Sequence, residues 1–440
     1  VRNPFGSPLW SNAAFVRVWS AATISVFGSL ITGIAFPFVA IEVLGAGAFE
    51  IAVLRTLDLG ATLIFGFVAG VWVDRLRRRP VLIWADLGRA VLLGSVPVAF
   101  VAGVLSFPQL MVVTAAAAVL TTFFDAADNA YLPAIVERDR LVEANSALRA
   151  SGSVAEFVSF GIAGFLVQIL SGPITIAIDA MTFLASALLL GSIRREEAPP
   201  PPVAHRESVL NEIRDGIRVV RGDPVLRAFI GAEMAHSISW GIFGAIWFLF
   251  IFEELQFGPA AIGIVAGIGG VSAFIGAVAA SRATRRWGVG RVAIRAMLLS
   301  ALGTAFIAIA PSGLPVVAFA CLVAQQLIAD SAMTVYEITE VSVRQSLVED
   351  RALGRVASTF HVASVTVQLV ATLAAGVLAE VIGLRATAWI GPIGALLGAA
   401  ILWFSPVRQL VVLPERQAGV PPVDALAVAA DVELERPPGA

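Results

Sequence analysis

Arginine alternates along this chain, and the alternation limits what the chain can fold into. About twelve apolar stretches long enough to cross a bilayer divide the sequence. Every second connection between them is arginine-rich: 74–80, the turn around Arg138 and Arg140, 194–227, 282–291 and 344–355. The intervening connections (45–48, 104–108, 170–173, 252–259, 310–315 and 382–385) hold a single arginine, Arg385. Basic residues are retained on the cytoplasmic side during insertion. The pattern therefore implies an even number of spans, both termini inside, and a multi-pass protein of the cytoplasmic (inner) membrane.

Composition agrees with this. Charged residues make up 14% of the chain, against about 25% in soluble domains. The expected fold class is an all-α membrane protein. Its spans are expected at 15–43, 49–73, 81–103, 109–131, 146–170 and 173–193, then 226–252, 259–281, 292–311, 314–337, 358–381 and 384–404. A barrel is excluded, because the apolar runs are too long and do not alternate. The lone Cys321 leaves no disulfide chemistry, and no cleavable signal is read at the N-terminus.

The chain reads as a duplication. Its two tyrosines, Tyr131 and Tyr336, lie 205 positions apart, as do Asp125 and Asp330. Val136-Glu-Arg-Asp-Arg-Leu141 is echoed by Val348-Glu-Asp-Arg-Ala-Leu353, and Gly70 by Gly276. Six spans per half preserve orientation, so the repeats are parallel, related by an axis along the membrane normal. The expected division is a first six-helix bundle over 1–193, a linker over 194–225, a second bundle over 226–404 and a disordered tail over 405–440. Within the linker, Val209, Leu210, Ile213, Ile217 and Val220 share one helical face. That pattern predicts an amphipathic helix at the membrane surface, either regulatory or a plain connector.

The loop Gly70-Val-Trp-Val-Asp74-Arg75-Leu-Arg77-Arg78-Arg79 resembles the motif between the second and third helices of the major facilitator superfamily, departing at Arg77 where the family usually has glycine. Ile34-Ala-Phe-Pro37, Ala85-Asp-Leu-Gly-Arg-Ala90, Phe123-Phe-Asp-Ala-Ala127, Leu141-Val-Glu-Ala-Asn145 and Glu212-Ile-Arg-Asp-Gly216 look like the branch of the enterobactin exporter and macrolide-efflux permeases. The resemblance implies two pseudo-symmetric six-helix bundles around a central path, the major facilitator fold. It also implies a gate at Gly70, Asp74, Arg75, Arg78 and Arg79, with Asp74 docking on the N-terminal end of the eleventh span at Ala357-Ser358-Thr359, where free N–H groups attract an anion.

Ionisable residues in lipid are costly and default to functional candidates. Glu156 lies near the midplane with no basic residue three or four positions away, and is expected to be the coupling carboxylate. Asp58 with Arg55, Glu233 with His236, and Asp86 with Arg89 are spaced to pair on one helical face. Asp125, Asp128 and Asp330 fall near the inner interface, as gating partners or as simple caps. No Walker loop or metal motif is present, and no basic-aromatic surface for nucleic acid. The chain is therefore read as no enzyme, with no cofactor and no metal. Its expected partners are a small-molecule substrate, protons and membrane lipid, and it is expected to be a monomer. The function expected is proton-coupled efflux of an amphipathic small molecule, a drug or siderophore, by alternating access. Alternatives are import or facilitated passage of a metabolite, and lysophospholipid transport.

Overall fold

Backbone in hydrocarbon must satisfy its own hydrogen bonds, so apolar stretches of this length become helices. The computed structural model describes residues 8–73, 75–194, 197 and 209–413, and no strand occurs among them. Eleven of the described helices are long and apolar enough to cross a membrane. A further helix, Ala48–Val73, is 26 residues long and occupies the place of the expected second span. In chain order the helices are α1 (Ala13–Val43), α2 (Ala48–Val73), α3 (Arg78–Val101), α4 (Phe107–Ile135), α5 (Leu141–Leu170) and α6 (Gly172–Gly191). The linker helix α7 (Val209–Gly222) follows, then α8 (Pro224–Glu254), α9 (Pro259–Trp287), α10 (Val289–Ile309), α11 (Pro315–Leu347), α12 (Asp350–Ile382) and α13 (Leu384–Trp403).

Several helices overrun the apolar stretches on the arginine-rich face, four of them at the turns after the fourth and tenth spans. α4 reaches Ile135, α5 begins at Leu141, α11 reaches Leu347 and α12 begins at Asp350. Arginine, glutamate and alanine are good helix formers, and outside hydrocarbon a helix needs no apolar cover to continue. This corrects one expectation. Ala357-Ser358-Thr359 is not a helix start but lies two turns inside α12, so its N–H groups are not free for an anion.

The duplication is visible in backbone detail. Asn12 caps α1 by accepting from Ala14 and Phe15, and Asp223, 211 residues on, caps α8 by accepting from Val225 and Leu226. Satisfying orphan N–H groups at a helix start in this way is worth about 1 kcal/mol. Both first helices end in a five-residue π turn, Val39–Val43 and Phe250–Glu254. Packing repeats too. In the first half α1 lies against α5 and α6, α4 against α2 and α3, and α3 against α6. In the second half α8 lies against α12 and α13, α11 against α9 and α10, and α10 against α13. Between the halves α5 meets α9 and α2 meets α12, two contacts exchanged by the same pseudo-twofold axis.

The core is divided unevenly along the membrane normal. On the arginine-poor face one buried cluster runs through both halves, from Ile31, Ala52 and Ala163 to Ile246, Ile262 and Ala375. Towards the arginine-rich face it separates into two. Leu82, Phe124 and Tyr131 belong to a cluster of the first half alone, and Phe229, Met297 and Tyr336 to one of the second.

The linker helix packs on the second cluster. Val220 is buried in it, Arg355 of α12 sits 3.3 Å from Asp215, and a Cβ on Gly216 would collide with Thr359 Oγ1 and the Arg355 carbonyl. α7 is thus docked on α12 rather than only resting at the membrane surface. Gly216→Leu is expected to detach it, read as faster protease cleavage within 198–222 than in the wild type. The tail expected to be disordered from 405 is packed at its start: Pro406–Gln409 form a short helical turn, Val407 is buried in the second cluster and Leu410 accepts the Gly290 N–H at 2.9 Å. Residues 198–208 before α7 and the tail beyond Leu413 fall outside the described residues.

Candidate functional site

The halves touch on the arginine-poor side of the midplane. A Cβ on Gly164 of α5 would strike the Pro259 carbonyl and come to 3.0 Å from Cα of Ala260 and of Gly263 in α9. Its counterpart, Gly376 of α12, stands 2.6 Å from Ala52 and 3.0 Å from the Phe49 Cα of α2 by the same construction. Gln168 accepts the Ala260 N–H at 3.2 Å. Phe38 meets Phe248 and Phe252 edge to face at 6.4 and 5.6 Å. Deeper, Gly60 reaches Leu369 and Gly244 reaches Arg55. Beyond that level the two halves keep separate cores, the arrangement of a cleft that opens on the arginine-rich face.

Several expected residues line this cleft. Arg55 and Asp58 form an ion pair at 2.8 Å with about two-fifths of each side chain exposed, and the Arg55 side chain touches α8 at Gly244. Glu156 is exposed, one turn before Phe160 and two turns before Gly164 on the α9-facing side of α5. It has no hydrogen-bond or ion-pair partner among the described residues.

Asp86 and Arg89 pair as their spacing predicts, at 2.5 Å, yet both are buried inside the first bundle. The Arg89 guanidinium is held between the rings of Phe124 and Phe183, at 4.4 and 4.2 Å, and lies 3.4 Å from Thr121. Asp179 is buried nearby, bonded to Thr182 at 3.0 Å and seated on Gly28 of α1. Asp125 is exposed and lies within electrostatic reach of Arg89, and Asp128 is half-buried within reach of Asp125. Asp330 does not join this group. It belongs to the second half, 3.1 Å from where a Cβ on Gly269 would sit.

Glu233 and His236 do not pair. His236 is buried with Nδ1 unbonded, edge-on to Trp240 at 6.4 Å. Its helical face packs against α13, where Gly394 touches Ala235 and Ser239 and Gly398 touches Ala232. Glu233 instead lies within electrostatic range of Glu337 and Glu340 on α11, and Glu340 holds Arg344 at 3.5 Å. Glu340 and Arg344 were not placed on this helix because the expected tenth span stopped at 337. The i, i+3, i+7 spacing of Glu337, Glu340 and Arg344 would have signalled a continuing helix.

At the gate motif, Asp74 lies outside the described residues. Gly70 has open space around it, and Arg75 is exposed. The backbone N–H groups of Arg78 and Arg79 donate to the Glu197 carboxylate at 2.7 and 3.1 Å, and the Arg79 side chain donates to the carbonyls of Leu190 and Gly191 at the end of α6. The anion at this helix start is therefore Glu197. No sequence signal points to it, since 119 positions separate it from Arg78.

A family model, the Major Facilitator Superfamily, matches residues 18–238, half of the chain. The chain belongs to that superfamily. It is thus a multi-pass membrane transporter and not an enzyme. Among superfamily relatives, the multidrug efflux pump Tap of Mycolicibacterium fortuitum is 29% identical over 89% of this chain and 95% of its own length. Macrolide efflux protein A of Streptococcus pyogenes is 26% identical over 49% of this chain and 53% of its own. In structure, a bacterial homologue of the iron transporter ferroportin covers 89% of this chain and 98% of that one. Its TM-score is 0.71 in the inward-facing state at 19% identity and 0.56 in the outward-facing state at 18%. Identity that low shows the shared fold alone. The higher score accompanies the state named inward-facing.

Proposed function

We propose that this transporter exports amphipathic small molecules across the cytoplasmic membrane in exchange for protons, by alternating access. The observation that carries the reading is the cleft: one core on the arginine-poor face, two on the arginine-rich face, and ionisable side chains at the depth where they part. The arginine-rich face is the cytoplasmic one on the basic-residue rule, so the cleft is a cytoplasm-open loading site. The names of the two efflux relatives support export over import. Apolar walls around few polar groups suit an amphipathic substrate. The two bundles, 1–193 and 226–404, are the bodies that rock, with α7 carried on the second.

Glu156 is the proposed coupling carboxylate. Exposed to the cleft and lacking a cation partner, it is free to exchange a proton with either side as the cleft alternates. The Arg55–Asp58 pair neutralises itself and is the better candidate for substrate contact. Asp74 with its arginines remains the proposed gate. Asp86, Arg89, Asp125 and Asp128 are proposed to transmit movement within the first half, and Glu233, Glu337 and Glu340 to do so within the second.

The test is efflux from proteoliposomes against a panel of drugs and siderophores, with and without an imposed pH gradient. Wild-type protein is expected to concentrate at least one amphipathic compound only while the gradient lasts. Glu156→Gln is expected to keep downhill exchange and to lose gradient-driven accumulation. Accumulation that survives collapse of the gradient would remove proton coupling, and a Glu156→Gln variant that still accumulates would remove this carboxylate from it.

A further inference from the structure

Outside the cleft, the arginine-rich end of the first bundle carries a groove of about 490 Å³. Its walls are Leu76, Pro80, Val81, Trp84, Leu120 and Phe123, and Arg77 stands at its edge. The walls are apolar and open outward: Trp84 is 71% exposed, and beside the groove Trp72 is 57% exposed and edge-on to Phe123 at 6.4 Å. Indole rings exposed at this level mark the headgroup zone of a bilayer. Of the four motif-loop arginines, Arg78 and Arg79 turn inward to Glu197 and α6. Arg75 and Arg77 are exposed, and their guanidinium groups have no hydrogen-bond or ion-pair partner among the described residues. Arg77 also stands where the superfamily motif has glycine, so this chain adds a guanidinium at the mouth of an apolar groove.

We propose that this groove is a binding site for an anionic phospholipid, with one acyl chain against Trp84, Leu120 and Phe123 and the headgroup phosphate on Arg77. A guanidinium recognises a phosphate through parallel N–H donors, and basic pockets between spans on the inner side select anionic headgroups. Arg75, two positions earlier, adds charge at the rim. Zwitterionic lipid also carries a phosphate, so net charge is what the site distinguishes.

The experiment uses the full chain in detergent, with lipid retention read by native mass spectrometry. Phosphatidylglycerol and phosphatidylcholine of identical chains are compared. Wild-type protein is expected to retain phosphatidylglycerol about fivefold more tightly, the effect of one basic residue near a charged headgroup. The preference should shrink as salt is raised. Arg77→Gly, which restores the family residue, is expected to abolish the preference, with Arg77→Gln as a second variant. Trp84→Ala should weaken both lipids alike, while Arg282→Gln, on the same face in the other half, should change nothing. A wild type with no preference for phosphatidylglycerol, or a preference intact in both Arg77 variants, would overturn the proposal.

Discussion

Gly164→Leu is expected to reduce transport about tenfold or more while the protein still inserts and folds. The argument is geometric. At Gly164 even a Cβ would strike the Pro259 carbonyl and press on two α carbons of α9. Backbone cannot swing aside as a side chain can, so α5 and α9 must part on the arginine-poor face. Overpacking of this kind costs roughly 1–3 kcal/mol. The cost falls only on the conformation in which that face is closed, and it displaces the equilibrium by about 5–150-fold. Gly376→Leu should act in the same way, because Gly376 makes the symmetric approach to Ala48, Phe49 and Ala52. Gly161→Leu is the control: it lies on the same helix with nothing within 4 Å of an added Cβ. Spin labels at positions 169 and 381, exposed ends of α5 and α12, report the opening once Cys321 has been replaced by serine. A longer distance in Gly164→Leu and an unchanged one in Gly161→Leu are expected. Wild-type flux and distance in Gly164→Leu would mean that the halves do not close there.

The same glycines show what could be read beforehand. Span number, the repeat and its parallel orientation were legible, because hydropathy and arginine placement are imposed by the bilayer and do not depend on which helices touch. The i, i+3 pairs Arg55–Asp58 and Asp86–Arg89 were legible because both partners share one helix. What stayed hidden depends on tertiary packing. Nothing local distinguishes Arg55–Asp58, open to the cleft, from Asp86–Arg89, sealed in the bundle. Likewise the four-residue stagger of Gly164 against Gly263 is invisible until α5 and α9 meet. Helix ends on the arginine-rich face were misjudged for a different reason. Hydropathy marks where the membrane stops, and α11 and α12 continue past it as ordinary amphipathic helices. That error alone removed Glu340 and Arg344 from consideration and placed a helix start at Ala357.

Arg89→Met is expected to produce the largest loss of stability of any single side-chain deletion in the first bundle. The guanidinium is nearly inaccessible and pairs with an Asp86 that is wholly so. It is sandwiched between two aromatic faces, each contact worth about 2 kcal/mol when desolvated. Asp179, also buried, lies within its electrostatic reach. Removing the cation leaves two buried carboxylates unbalanced, and breaking a buried pair from one side costs about 3–5 kcal/mol. Replacing both partners with apolar groups costs far less, since the desolvation penalty of both charges disappears with the attraction. The double variant Asp86→Leu/Arg89→Met should therefore unfold in detergent at a higher temperature than Arg89→Met alone, although it carries one mutation more. If the two midpoints coincide, or if Arg89→Met melts with the wild type, the guanidinium is not the counter-charge of this bundle. If the order is as expected, the pair adds little net stability and its value lies in registration. It ties α3 to α4 and α6 through one side chain, so that three helices move together when the cleft opens and closes.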